Sequence, residues 1–202
     1  MRSLLLGLCL LAAGPAFATG LEIDVDGEAK GTIVIDLFEE IAPLHVERIT
    51  ALAASGAYDG VVFHRVIDRF MAQTGDVEYG RLGQDMRYAG RGGSDMPDLP
   101  PEFSDMSFER GIVGMARGND PASANSQFFI MFAPEPRLDN AYTIVGRVVE
   151  GMEIVDAIKR GLGPNGAVIG EPDRMVALRV RDDDPVPPPP DPAEGEEGAA
   201  SE

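Results

Sequence analysis

The stretch Val61-Val62-Phe63-His64-Arg65-Val66-Ile67-Asp68-Arg69-Phe70-Met71-Ala72-Gln73-Thr74-Gly75-Asp76 decides how the rest of the chain is read. Most of its apolar residues are β-branched or aromatic, the types that fit a pleated, half-buried surface. Two strands are predicted here, with Asp68-Arg69 at the turn between them. Side chains eight positions apart keep the same parity along extended chain, so Arg65 and Gln73 can share one face. Phe70 and Met71 then make a concave apolar patch, with the arginine as a fixed donor fork beside it. Taken alone, the same residues also read as an ordinary amphipathic hairpin carrying one surface arginine.

Upstream of the hairpin, Leu21-Glu22-Ile23-Asp24-Val25-Asp26 alternates apolar and acidic residues, the pattern of a half-buried strand. Asp26-Gly27 signals a hairpin turn, and residues 31–37 return as a second strand. Pro43 opens a helix where its missing N–H costs nothing, with Val46, Ile49 and Ala53 on its apolar face and Ser55-Gly56 at its end. His45 is assigned to the solvent side.

Downstream, residues 78–105 form a long loop rich in glycine and proline, a length that usually carries function or motion. Strands are predicted at 111–116, 126–132, 142–149 and 175–180. A second helix over 152–160 is expected to bury Ile154, Val155 and Ile158 and to end in a left-handed cap at Gly161. Many short strands and only two helices predict a mainly β fold, a closed antiparallel barrel or else a sandwich, with each helix placed to cover one barrel end.

The two ends differ from this middle. Arg2, an eleven-residue apolar core from Ser3 to Ala13 and the small-x-small triplet Ala16-Phe17-Ala18 read as a signal peptide cleaved after Ala18. The core is too short to span a bilayer, so no membrane insertion is expected after cleavage. Cleavage removes Cys9, the single cysteine, leaving neither a disulfide nor a cysteine metal site. His45 and His64 are the only histidines, so no metal site and no cofactor is expected. Residues 182–202 hold eight acidic residues and six prolines and read as a disordered acidic tail. The domain between them spans 19–181. With 17 basic against 34 acidic residues the chain carries −17, which argues against a nucleic-acid partner.

Two stretches together resemble the cyclophilin family of peptidyl-prolyl isomerases: Phe63-His64-Arg65-Val66-Ile67 with Phe70-Met71-Ala72-Gln73, and Gly111-Ile112-Val113-Gly114-Met115-Ala116 followed by Ser126-Gln127-Phe128-Phe129-Ile130. Leu138-Asp139 and residues 144–151 add to the match, and the resemblance implies a closed eight-stranded antiparallel β-barrel capped by two α-helices. The resemblance implies that Arg65 donates to the proline nitrogen, with Phe70 and Gln73 as the other catalytic residues. Met71, Phe129 and Leu138 would hold the proline ring together with Phe70. Ala116, Arg117, Gly118, Gln127 and Tyr142 would line the substrate groove. Tyr142 stands where many eukaryotic members have histidine, and bacterial-type members often carry tyrosine. Arg137 stands where tryptophan borders the pocket of cyclosporin-sensitive members, implying weak cyclosporin binding.

The chemistry is consistent with such residues. The barrier to rotating an amide, ~20 kcal/mol, comes from lost resonance, and at the twisted state the proline nitrogen becomes pyramidal and basic. A donor aimed there binds that state selectively, with no nucleophile, metal or cofactor. The reading is therefore a monomeric, periplasmic or secreted isomerase acting on proline-containing unfolded or folding polypeptides; the alternative is a non-catalytic module that binds proline segments. The tail contains X–Pro bonds of its own at high effective concentration. If they occupy the groove, deleting residues 183–202 is expected to raise activity toward short peptides.

Overall fold

The computed structural model describes residues 18–183; all of the predicted signal peptide but Ala18, and all of the predicted tail but its first two residues, lie outside them. Eight strands are joined in one antiparallel sheet: β1 Ala18–Asp26, β2 Gly31–Leu37, β3 Arg65–Ile67, β4 Met71–Thr74, β5 Ile112–Met115, β6 Phe128–Met131, β7 Ile144–Glu150 and β8 Arg174–Asp183. Their spatial order is β3-β4-β6-β5-β7-β2-β1-β8. Helix α1, Pro43–Ala54, packs on β8, and helix α2, Met152–Ala157, packs on β2.

The barrel is not closed. Strands β3 and β8 are the two edges of the sheet and share no ladder; β8 instead meets residues 60–63, ahead of β3, through the bridge between Val62 and Arg174 and a few backbone hydrogen bonds such as the Met175 N–H to the Val61 carbonyl at 2.8 Å. The reason lies in what covers the edge of β3. Arg65 is bridged to Ala167, the Gly161 N–H donates to the Val66 carbonyl at 2.8 Å, and the Val168 N–H donates to the His64 carbonyl at 3.0 Å. An irregular segment thus takes the edge positions that β8 would need, and the sheet is a half-barrel.

Period-two alternation sorts the side chains of β6 onto two faces. Phe128 and Ile130 enter the main interior cluster with Ile23, Ile33, Ile35, Phe63 and Val145. Phe129 and Met131 turn outward, into a second apolar cluster with Met71, Phe108, Ile112 and Ile144. Covering both faces explains why all four residues of β6 are buried. The second cluster is the floor of the site described below.

Two local expectations need correction. His45 is fully buried rather than solvent-facing. It precedes Ile49 by four residues and so falls on the same helical stripe. Its Nδ1 lies 2.6 Å from Glu102 Oε2, and Glu102 also accepts the Leu44 and His45 backbone N–H groups, each at 3.1 Å. A carboxylate from the long loop therefore caps α1, which has no side-chain cap from its own Ncap residue. The second correction concerns α2, which stops at Ala157; Val155 and Ile158 are buried, whereas Ile154 is only partly so. The Lys159 N–H, which a longer helix would have used, donates instead to Asp173 Oδ2 at 2.7 Å. Gly161 is not left-handed.

Candidate active site

Arg65 on β3 stands directly opposite Gln73 on β4. The register makes them cross-strand neighbours, and the Arg65 Nη1 donates to Gln73 Oε1 at 3.0 Å. On its other side Arg65 Nε donates to the Asn165 carbonyl at 3.0 Å and Nη2 to Asn165 Oδ1 at 3.3 Å. Three of the five guanidinium N–H groups thus have oxygen acceptors within the protein. Burial lowers the Arg65 pKa from its ordinary value, with an opposing influence from Tyr142. A guanidinium keeps its charge through such a shift.

The orientation of Gln73 is set in turn. Its Nε2 donates to Gln127 Oε1 at 2.9 Å, and Gln127 Nε2 donates to the Gly92 carbonyl at 2.8 Å. The Gly92 N–H then donates to Asp76 Oδ2 at 3.1 Å. Asp76 is fully buried and accepts three further backbone N–H groups, from Glu78, Tyr79 and Gly90. This continuous line of hydrogen bonds ties the arginine to the base of the long loop. Only glycine fits at 92, because a Cβ there would come within 2.5 Å of Asp76 Oδ1.

Beside Arg65 opens a cavity of about 150 Å³ lined by Arg65, Phe70, Met71, Gln73, Ala116, Arg117, Phe129, Leu138 and Tyr142. Phe129 forms its floor, stacked on Phe108 with centroids 5.8 Å apart and meeting Tyr142 edge-on at 6.0 Å. Both rings lie close against β5 because position 114 is glycine, where a Cβ would come within 2.6 Å of each. Arg117 lies 4.4 Å over the Tyr142 ring and donates to the Ala141 carbonyl through Nη2 at 2.9 Å. Gly118 and Gln127 do not reach this cavity. They line an adjoining one of about 240 Å³, which shares Gln73, Ala116 and Arg117 with the first and adds Gly90, Arg91, Gly92, Ser123, Asn125 and Ser126.

All eleven residues singled out from the sequence therefore sit along one groove of two joined cavities. Asn165 and Asp76 were not foreseen as parts of the site. Pro164-Asn165-Gly166 has the composition of a turn, and Asn165 adopts a positive φ of 55° there. Nothing local in that triplet points to Arg65, a hundred residues earlier. Arg137 lies outside both cavities, exposed and paired with Glu135 at 2.7 Å.

His64, next to Arg65, is buried with no hydrogen-bond partner for either ring nitrogen. Burial pushes its pKa down to about 4, against an opposing pull from the Asp76 carboxylate. An unfolded histidine titrates near 6.5, so between those values the unfolded chain binds a proton that the folded one does not. Stability is full above pH ~6.5 and falls as pH drops toward ~4, by at most about 3 kcal/mol from this residue. Denaturant melts at both ends of that window are expected to show a smaller loss for His64→Gln than for the unaltered chain. An identical loss would remove His64 from the account.

Comparison with known proteins agrees with this geometry. Residues 21–180 match the family model described as cyclophilin type peptidyl-prolyl cis-trans isomerase/CLD. A protein of Brucella suis named "Probable peptidyl-prolyl cis-trans isomerase" is 50% identical over 155 residues, covering 76% of this chain and 79% of its own. Among solved structures, a cyclophilin type isomerase of Cryptosporidium parvum superposes with a TM-score of 0.70 at 24% identity, over 83% of this chain and 99% of its own. The same protein has been crystallised in the presence of the dipeptide Ala-Pro. The cyclophilin AquaCyp293 of Hirschia baltica superposes at 0.66 with 25% identity, over 85% of this chain and 82% of its own. With the family model spanning nearly every described residue, this chain belongs to the cyclophilin-type peptidyl-prolyl cis-trans isomerases.

Proposed function

We propose that this enzyme lowers the barrier to X–Pro rotation by presenting Arg65 to the proline nitrogen while the ring occupies the apolar cavity, and that its substrates are exported proteins as they fold. The observation that carries the mechanism is the fixed Arg65 at the edge of that cavity, held between Gln73 and Asn165. Phe70, Met71, Phe129 and Leu138 offer the ring an apolar seat, and of the two N–H groups of Arg65 without oxygen acceptors one meets only the weak acceptor Met71 Sδ, at 4.0 Å from Nη1, and the other, on Nη2, is open to the twisted amide. A guanidinium pre-aimed at the place where basicity develops stabilises the twisted state more than either planar isomer. The Ala-Pro dipeptide used with the Cryptosporidium relative is the smallest ligand of the same chemical class. Export rests on the amino-terminal sequence pattern, and a bacterial periplasmic setting rests on that pattern together with the tyrosine at position 142.

Two-dimensional NMR exchange on a generic X–Pro peptide tests the mechanism directly. Cross-peaks between cis and trans proline signals are expected at substoichiometric enzyme. Binding without exchange would make the protein a proline-segment holder. The tail offers a separate test. Because β8 runs to Asp183, truncation is best placed at residue 184. Removing residues 184–202 is expected to raise turnover of short peptides if Asp184-Pro185 and its neighbours occupy the groove; equal turnover would rule that occupancy out.

A further inference from the structure

The second cavity carries a charge that the first does not explain. Arginines 69, 87, 110, 137, 147, 160, 174 and 179 each lie within 4.0 Å of a carboxylate. Arg48 and Arg81 instead direct their N–H groups at backbone carbonyls within the fold. Arg65, Arg91 and Arg117 have no carboxylate partner, and all three border the groove. Arg117 is held by backbone carbonyls and the Tyr142 ring. Arg91 is exposed, and its side chain meets only the Tyr88 ring, at 5.9 Å. No acidic residue lines the second cavity. The nearby carboxylates keep their charge but are turned to other donors: Asp76 to four backbone N–H groups, Asp98 to Asn125 Nδ2 at 2.8 Å, and Asp120 to the Ala122 N–H at 2.9 Å. In a chain with twice as many acids as bases, three guanidiniums without a carboxylate in ion-pair reach converge on one cleft whose lining holds no acidic residue.

We infer that the groove selects X–Pro segments carrying an acidic side chain near the proline, and that Arg91, with Arg117 behind it, is the specificity-determining residue. This rests on the reading that the apolar cavity takes the proline. The extended segment then continues into the second cavity, where Gln73, Gln127 and Ser123 supply polar walls and Arg91 stands at the rim. A carboxylate there meets charge-assisted donors, whereas an ammonium meets repulsion from both guanidiniums.

The test uses the full-length mature protein and two peptide sets around one Ala-Pro core. One set places Glu, Ala or Lys two residues before the proline, and the other places them two residues after it. Dissociation constants come from NMR titration, and isomerisation from exchange cross-peaks in the same samples. In at least one set the Glu peptide is expected to bind roughly five- to tenfold more tightly than the Lys peptide at low salt, shrinking toward parity at about 0.5 M salt. In Arg91→Glu that ratio is expected to fall below one, and in Arg91→Gln to lie between. Equal affinity of Glu and Lys peptides in both sets would overturn the charge preference; an unchanged ratio in Arg91→Glu would overturn the role of Arg91. Charge-selective binding without exchange would leave this inference standing and refute the isomerase mechanism, while exchange without charge preference would do the reverse.

Discussion

Arg65→Ala is expected to reduce the rate of X–Pro isomerisation by roughly 10²–10³-fold, the usual cost of removing one well-placed transition-state donor. The protein is expected to stay folded. Arg65 sits on a strand edge, and its side chain is only partly buried at the rim of the groove. Its loss orphans Gln73 Oε1 and the Asn165 acceptors, and the adjoining cavities leave room for water to take their place. The ground-state cavity remains, since Phe70, Met71, Phe129 and Leu138 are untouched, so peptide affinity should change far less than turnover. Arg65→Lys is expected to recover little, because one ammonium cannot hold Gln73 and Asn165 while also offering a donor to the amide. Measuring kcat and peptide affinity separately checks this. Unchanged turnover in Arg65→Ala would remove the arginine from the mechanism.

Asp76→Ala is expected to be the most damaging single change to stability near the site. The carboxylate is buried and gathers the N–H groups of Glu78, Tyr79, Gly90 and Gly92, so its removal strands four donors at once. Each buried donor left without a partner costs about 1–3 kcal/mol, and water reaching the loop offsets part of the sum. A loss of about 3 kcal/mol corresponds to a fall in Tm of roughly 6–12 °C for a domain of this size. Activity is expected to drop as well, by about tenfold or more, because Gly92 orients Gln127, which orients Gln73, which orients Arg65. Asp76→Asn keeps one acceptor and is expected to fall between. A Tm within about 2 °C of the unaltered protein would show that the loop holds itself in place.

Local patterns located most elements well. The strand at 31–37, the helix opened by Pro43 and the hairpin turning at Asp68-Arg69 all appear in the structure, because alternation, a helix-starting proline and turn residues act over short stretches of chain. The groove-lining residues came from resemblance to a family rather than from periodicity. What local reading could not supply were partners distant along the chain. His45 lies on the buried stripe, but its acceptor is Glu102 in a loop with no regular pattern. Asn165 completes the setting of Arg65 from across the fold. Closure of the barrel failed for a similar reason: strand periodicity says which face a residue takes, not which neighbour wins its edge.

The unclosed seam has a consequence for how the molecule divides its tasks. Strand β3 is hydrogen-bonded as a ladder on one side only, to β4, and on the other it rests against the irregular segment that also supplies Asn165. The large interior core draws on β1, β2, β5, β6, β8 and helix α1, and it reaches β3 and its approach through Val61, Phe63 and Val66. The backbone of β3 is thus anchored in the core by Phe63 and Val66, while the aim of the Arg65 side chain depends on two flanking partners, Gln73 and Asn165. Exchanges at the exposed Asn165 can retune the catalyst with little effect on the melting of the domain, whereas Gly161 and Gly166 beside it leave no room for a Cβ, so this one position is where the seam is open to functional change.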